Sequence, residues 1–318
     1  MNPYVFIVGA ARSGTTLLQR MVDAHPDIAV IHESHWIPRF YEERIGLTAD
    51  STVTLELIPR LLDDRRFVKL GISQRDLEGL IPSDRTISYA DYVARIFDLY
   101  GRARGKRLVG EKTPGYVRSI PTLHYLWPEA KFVHLIRDGR DVFLSMKSWK
   151  RVDRSVGRFA AWRRDPVPSS ALWWQWDVER GREAANLLGP ELYHELRYER
   201  LVSKFAEELA KLCAFLGLPY DEAMLGFHEG RTKTKPGLDA KRAWLPLTPG
   251  LRDWRTEMPA ADVEIFEAAV GGLLDDLGYE RAFPNPSSEA IECASETRRR
   301  FVRELDERER RTPVNRRS

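Results

Sequence analysis

The run Tyr4-Val5-Phe6-Ile7-Val8, closed by Gly9 and followed at a short interval by Gly14, constrains the fold more than any other stretch of this chain. A brief unbroken series of aromatic and β-branched residues predicts a strand buried on both faces. Beyond Gly14 the period changes. Leu17, Leu18, Met21 and Val22 recur at i, i+1, i+4 and i+5, which places them on one face of a helix. Strand, glycine loop and helix start together make an anion-binding site. The first-turn amides have no intrahelical partners, and the helix dipole presents its positive end there.

Gly9 and Gly14 have the spacing of the phosphate-binding loop G-x-x-x-x-G-K-[ST], but Thr15 stands where its lysine belongs. A cation is present earlier in the loop, as Arg12. With 50 basic and 47 acidic residues the net charge is only +3, so the anion site is local. Such a balance predicts no general affinity for nucleic acid or membranes. The length, 318 residues with 43% hydrophobic, suits one large domain with a full core. Mean hydropathy is −0.42, and no apolar run reaches the ~18 residues of a membrane span. Cys213 and Cys293 have neither disulfide-framework nor metal-ligand spacing. The strand at Tyr4 lacks the basic flank of a signal peptide. The expectation is a soluble cytoplasmic protein.

Along the chain, strands alternate with helices. Asp27 to Ile31 reads as a second strand ending at His32-Glu33-Ser34-His35, and Arg107 to Lys112 as a third. Lys131 to Ile136 is the clearest strand, followed by Arg137 and by Asp138 as N-cap, with Asp141 in capping-box position. Leu192 to Tyr198 alternates as a further strand. Between them, Leu55, Ile58, Leu61 and Leu62 suit one helix face, Lys150 to Pro168 reads as a basic irregular loop, and Glu199 to Leu216 as a helix. The pattern predicts a three-layer α/β/α fold with a central parallel sheet, of the nucleotide-binding P-loop type. Residues 1–285 form the domain, and 286–318 a charged, helical or solvated tail. In parallel sheets ligands bind beyond the strands' carboxyl ends, so the polar cluster His32-Glu33-Ser34-His35 should lie near the glycine loop.

Two blocks carry a family resemblance. Arg12-Ser13-Gly14-Thr15-Thr16 resembles the 5′-phosphosulfate loop of sulfotransferases that use 3′-phosphoadenosine 5′-phosphosulfate (PAPS). Phe132-Val-His-Leu-Ile-Arg137-Asp-Gly-Arg140-Asp-Val-Phe-Leu-Ser145 resembles their 3′-phosphate motif. Asp23-Ala-His-Pro26 and the stretch from Glu33 to Ile37-Pro38-Arg39 are similar to the tyrosylprotein branch. The resemblance extends over most of the chain to about Pro284. It implies a sulfotransferase with PAPS as donor and 3′,5′-bisphosphoadenosine (PAP) as product, needing no metal.

On that resemblance, Arg12, Ser13, Gly14, Thr15 and Thr16 hold the 5′-phosphate, while Arg137 and Ser145 hold the 3′-phosphate. An arginine gives that second anion bidentate recognition. Tyr198 matches a tyrosine near the nucleotide, with a core role as the alternative. Arg12 and Lys112 would stabilise the transferring group, and Glu33 aligns with the branch's catalytic glutamate as general base. His32 and His35 are local alternatives for the base. The branch carries arginine where His35 stands, so its acidic-peptide preference is not assumed for this chain. Lys241 and Arg242 lie in a late basic stretch that either closes over the nucleotide or is solvated. Trp162, Trp173, Trp174 and Trp176 suit the core or an acceptor pocket. The acceptor is a peptide, carbohydrate, lipid or small molecule. The competing readings are a P-loop kinase or NTPase, which needs the lysine missing at Thr15, and a non-catalytic nucleotide-binding regulator.

Overall fold

The computed structural model describes residues 4–83, 86–229 and 252–311. Five strands, β1 (Val5–Val8), β2 (Ile28–His32), β3 (Leu108–Lys112), β4 (Lys131–Ile136) and β5 (Tyr193–Arg197), form one all-parallel sheet in the order β2-β3-β1-β4-β5. Among the described residues the seven longest helices frame it: α1 (Thr15–Ala24), α2 (Tyr89–Arg102), α3 (Gly139–Lys147), α4 (Pro166–Leu188), α5 (Phe205–Leu216), α6 (Ala260–Val270) and α7 (Ser288–Arg311). Shorter helical turns join them.

The central strand shows why three layers form. Tyr4, Phe6 and Val8 point to one side, where they meet Val93 and Phe97 of α2, Trp127 and Phe132. Val5 and Ile7 point to the other, against Leu18, Met21 and Val22 of α1 and Leu209, Leu212 and Leu216 of α5. Each fully buried aliphatic or aromatic side chain contributes roughly 1.5–3 kcal/mol. A third apolar cluster joins Val142, Phe143 and Met146 of α3 to Trp173 and Trp174 of α4 and Phe266 of α6.

The register fixes what stands at the sheet's carboxyl edge. Ile7 lies opposite Lys112 on one side and Val133 on the other, and His32 also faces Lys112. The β1–β2 connection leaves one way across the sheet and the β4–β5 connection the other. The β1/β4 crevice is therefore the topological switch point where α/β sheets bind ligands.

Three local expectations are corrected. Leu55 is 70% exposed, because the helix begins only at Leu57 and Leu57 takes the buried position. Lys150 to Pro168 is not irregular throughout: residues 160–164 are helical and α4 already starts at Pro166. Phe159 anchors that region by stacking on Phe301 of α7 at 4.7 Å. The helix expected over Glu199 to Leu216 breaks at Lys204, giving Tyr198–Ser203 and α5. The segment after Pro286 is α7, whose Ala290, Ala294 and Phe301 are buried.

Candidate active site

The glycine loop is shaped by two positions that tolerate no side chain. At Gly9, with φ +147°, a Cβ would lie 2.4 Å from the Leu135 carbonyl oxygen. At Gly14, with φ +96°, it would lie 2.4 Å from Cδ2 of Tyr198. The Gly9 amide bonds to the Pro114 carbonyl at 3.0 Å, tying the loop to the turn after β3. Ser13 gives its amide to the Ala10 carbonyl at 3.2 Å, so that amide closes the loop. The amides of Gly14, Thr15 and Thr16, at the start of α1, have no acceptor within the helix, which suits them to an anion. Arg12 takes a left-handed backbone, φ +77°, to complete the turn.

Lys112, at the tip of β3, is fully buried. Its Nζ donates to Thr16 Oγ1 at 3.1 Å and to Glu33 Oε1 at 2.8 Å. The Glu33 amide in turn donates to the Lys112 carbonyl at 2.8 Å, so the two residues hold each other by main and side chain. Glu33 Oε2 lies 3.5 Å from His35 Nε2. Burial pushes the Glu33 carboxyl up, but the His35 hydrogen bond and the Lys112 ammonium outweigh it and hold it below the usual carboxylate range. Burial drives the His35 imidazole the other way, below its ordinary value, against the pull of Glu33. Glu33 is thus ionised, and His35 is a neutral donor to it at physiological pH. Glu33 and His35 both have left-handed backbone, φ +44° and +58°.

Across the β1/β4 crevice, Arg137 leaves the tip of β4 and lies over the Tyr198 ring at 4.4 Å. Its Nη2 donates to Asp141 Oδ2 at 3.2 Å, and its Nε is buried without a partner among the described residues. Trp174 fixes the strand tip, its indole donating to the Arg137 carbonyl at 3.0 Å. Ser145, two turns along α3, accepts from Arg12 Nε at 3.1 Å, and Arg12 also lies over Trp149. Arg12 is therefore the link between the loop and α3, while Lys112 links the loop to Glu33.

The capping pattern at Asp138 differs from expectation. Asp138 caps α3 through the Arg140 amide at 2.9 Å, but Asp141 does not reach back to the cap. It accepts instead from Arg137 and from the Trp254 amide at 3.0 Å. Burial, opposed by Arg137, pushes the Asp141 carboxyl up to about 6. Arg140 has a structural partner set, bonding both oxygens of Asp138 and, at 2.5 Å, Glu267.

The structure thus gathers Arg12, Ser13, Gly14, Thr15, Thr16, Glu33, Lys112, Arg137, Ser145 and Tyr198 around the carboxyl edge of the sheet, at or beyond the ends of all five strands. His32 ends β2 beside them. Lys241 and Arg242 lie outside the described residues. The chain is described again from residue 252, where Arg252 donates to Ser148 at 3.3 Å, just beyond Ser145. Trp173 and Trp174 are core residues, and Trp162 and Trp176 are half-buried. Sequence reasoning passed over Glu111, Ser34 and Tyr116, a buried hydrogen-bonded trio beside Lys112. The one available signal was a carboxylate inside an otherwise apolar strand.

An all-parallel sheet with a glycine loop at its switch point, beside the Lys112–Glu33 ion pair, is an α/β architecture of P-loop type. Within that class the chain belongs to the sulfotransferase family, whose family model matches residues 3–222. It is similar to human protein-tyrosine sulfotransferase 1, 26% identical over 291 residues, covering 89% of this chain and 71% of that one. A putative protein-tyrosine sulfotransferase of Caenorhabditis briggsae is 26% identical over 225 residues, 71% of this chain and 69% of the relative. Nodulation protein NoeE of Sinorhizobium fredii is 27% identical over 311 residues, 90% and 68%. The fold is shared with the sulfotransferase domain of the Synechococcus PCC 7002 olefin synthase, with a TM-score of 0.60 and 23% identity over 88% of this chain and 95% of that one. Among the described residues no helix is long and apolar enough to cross a membrane.

Proposed function

We propose that the protein transfers a sulfuryl group from PAPS to a hydroxyl acceptor by in-line displacement, with Glu33 as general base. The observation that carries this reading is the placement of Lys112. Fully buried, it spans the gap between the loop hydroxyl of Thr16 and the Glu33 carboxylate. A cation there faces both the leaving phosphate and the attacking hydroxyl.

The residues present fit the donor. The Gly14–Thr16 amides suit the 5′-phosphate. Arg137 Nε, buried and without a partner among the described residues, needs an acceptor that a 3′-phosphate supplies. Arg12 and Ser145, already in contact, join the loop proposed for the 5′-phosphate to the helix proposed for the 3′-phosphate. Tyr198 packs on Gly14 and under Arg137, a position from which it holds the cradle's shape.

In the step itself the acceptor oxygen attacks sulfur as its proton passes to Glu33. The bond from sulfur to the bridging oxygen breaks, and that oxygen leaves on PAP with the electron pair. Lys112 is shared: while it pairs with Glu33 it keeps the carboxylate a weak base. Donor oxygens compete for the ammonium, which frees Glu33 and raises its basicity as the donor binds. Relatives named as protein-tyrosine sulfotransferases support a tyrosyl hydroxyl as the first acceptor to test. The test is incubation with PAPS labelled in its sulfuryl group and a tyrosyl peptide. Label in the peptide, lost in Glu33→Gln, supports the reading. Label transfer undiminished in Glu33→Gln moves the base to His32 or His35.

A further inference from the structure

Glu111 sits in the interior of β3, fully buried, with Phe6 of β1 and Ile31 of β2 as its sheet neighbours. An apolar residue would serve that position better, since an ionisable group in a sheet interior is costly unless fully bonded. The carboxyl group is bonded on one side only. Its Oε1 accepts from the Ser34 amide at 2.8 Å, Ser34 Oγ at 2.9 Å and Thr113 Oγ1 at 2.5 Å. Its Oε2 is buried without a partner among the described residues. Ser34 Oγ is also 2.7 Å from Tyr116 Oη, which accepts from the Ile37 amide at 3.2 Å. One consistent assignment runs from Ile37 to Tyr116 to Ser34 to Glu111, each group donating to the next.

The partners of this carboxyl group are what make it informative. Ser34 lies between Glu33 and His35, both held in left-handed backbone that costs on the order of 1–3 kcal/mol per residue unless the surroundings enforce it. Thr113 directly follows Lys112. The bonds to Ser34 and Thr113 therefore clamp the two segments that carry the carboxylate and the ammonium. We propose that Glu111 is a positioning residue, setting the Glu33–Lys112 geometry by tying the Glu33-Ser34-His35 turn to the end of β3. This rests on the reading of Glu33 and Lys112 given above.

The titratable groups around Glu111 are Lys112 on its own strand and Tyr116 on the following turn, with Glu33 and His35 beyond Ser34. Phe6 and Ile31 close the remaining sides. Burial, partly offset by the Thr113 and Ser34 bonds and by Lys112, pushes the Glu111 carboxyl up to about 7. Its ionisation thus falls in a range where Glu33 is already charged, which gives the clamp its own signature in a pH profile.

The experiment compares wild type with Glu111→Gln, which keeps the shape and one acceptor oxygen, and with Ser34→Ala, which cuts the tie and leaves Glu111 in place. Three quantities are read: the PAP-induced thermal shift, PAP release from PAPS with a tyrosyl peptide as a function of pH, and the His35 imidazole titration by NMR. Both variants should keep the PAP shift and the nucleotide KM. Their kcat should fall on the order of tenfold or more, as expected for misplaced reacting groups. In Glu111→Gln the inflection near neutrality should vanish, and in both variants the His35 midpoint should move. Wild-type kcat, pH profile and His35 midpoint in both variants would overturn the proposal. Absence of any PAP shift or release in wild type would sink the sulfotransfer reading instead. The His35 comparison would still decide whether Glu111 positions the turn.

Discussion

Glu33, Lys112 and Arg137 differ in what surrounds them, and the differences predict separable phenotypes. As the proposed base, Glu33 bonds Lys112 and His35 and not the loop itself, so Glu33→Gln should lower turnover by ~10²–10⁴-fold. PAP binding, followed by calorimetry, should stay within error of wild type. Arg137 contacts neither Glu33 nor Lys112 in the hydrogen bonds described, and its guanidinium lies on Tyr198. Loss of a charged hydrogen-bond donor costs roughly 1.5–3 kcal/mol. Arg137→Ala should therefore weaken PAP binding by about tenfold to a hundredfold, with Glu33 chemistry unaffected at saturation; unchanged affinity would exclude it from the 3′-phosphate site. At this scale the site was legible where residue types break a local pattern. Thr15 in place of lysine, Arg12 in the loop and Arg137 at a strand tip are of that kind. Glu111 breaks the pattern too, but its partners Ser34 and Tyr116 meet it only through the fold, so its place in the site was not legible.

The loop and the short helix after β5 are complementary elements. Gly14 is flush against Tyr198, so Gly14→Ala forces a Cβ into the ring from a backbone conformation that L-residues avoid. The expected result is lost PAP binding and a lowered Tm. Adding Tyr198→Ala opens the space and should restore part of the Tm but not the binding, since the strained φ remains and the ring is gone. A double variant no more stable than Gly14→Ala would show that the contact is not what excludes a side chain. The strands were readable from sequence because short apolar runs ended at Gly9, His32, Lys112 and Arg137, where the period breaks. The segment from Lys150 to Pro168 misled because its composition is basic while its anchor, Phe159, finds Phe301 far along the chain. The break at Lys204 was not readable because no glycine or proline marks it.

For the whole molecule, burial of ionisable groups sets how stability depends on pH. Burial raises Glu111 to about 7, Asp177 to about 6 against its pairing with Arg118, and Asp141 to about 6. Each folded value lies above the unfolded one, so the stability these carboxyls lend is complete below the unfolded value and lost as pH rises through the folded one. For Glu111 alone, linkage gives on the order of 3 kcal/mol. Burial lowers His134 to about 3, so its contribution is instead lost as pH falls below the ordinary histidine value. Tm should therefore be higher at about pH 6 than at about pH 8; a Tm rising steadily across that interval would contradict this. Phe301 of α7 is buried against Phe159, and Phe301→Ala should cost roughly 3–5 kcal/mol in denaturant unfolding. Ligand binding is linked to the same stability. In a thermal-shift titration PAP should stabilise the protein, by ~2.7 kcal/mol at a hundredfold excess over Kd. ATP with magnesium should give little shift over the same range. Stabilisation by ATP–magnesium without any response to PAP would contradict the account.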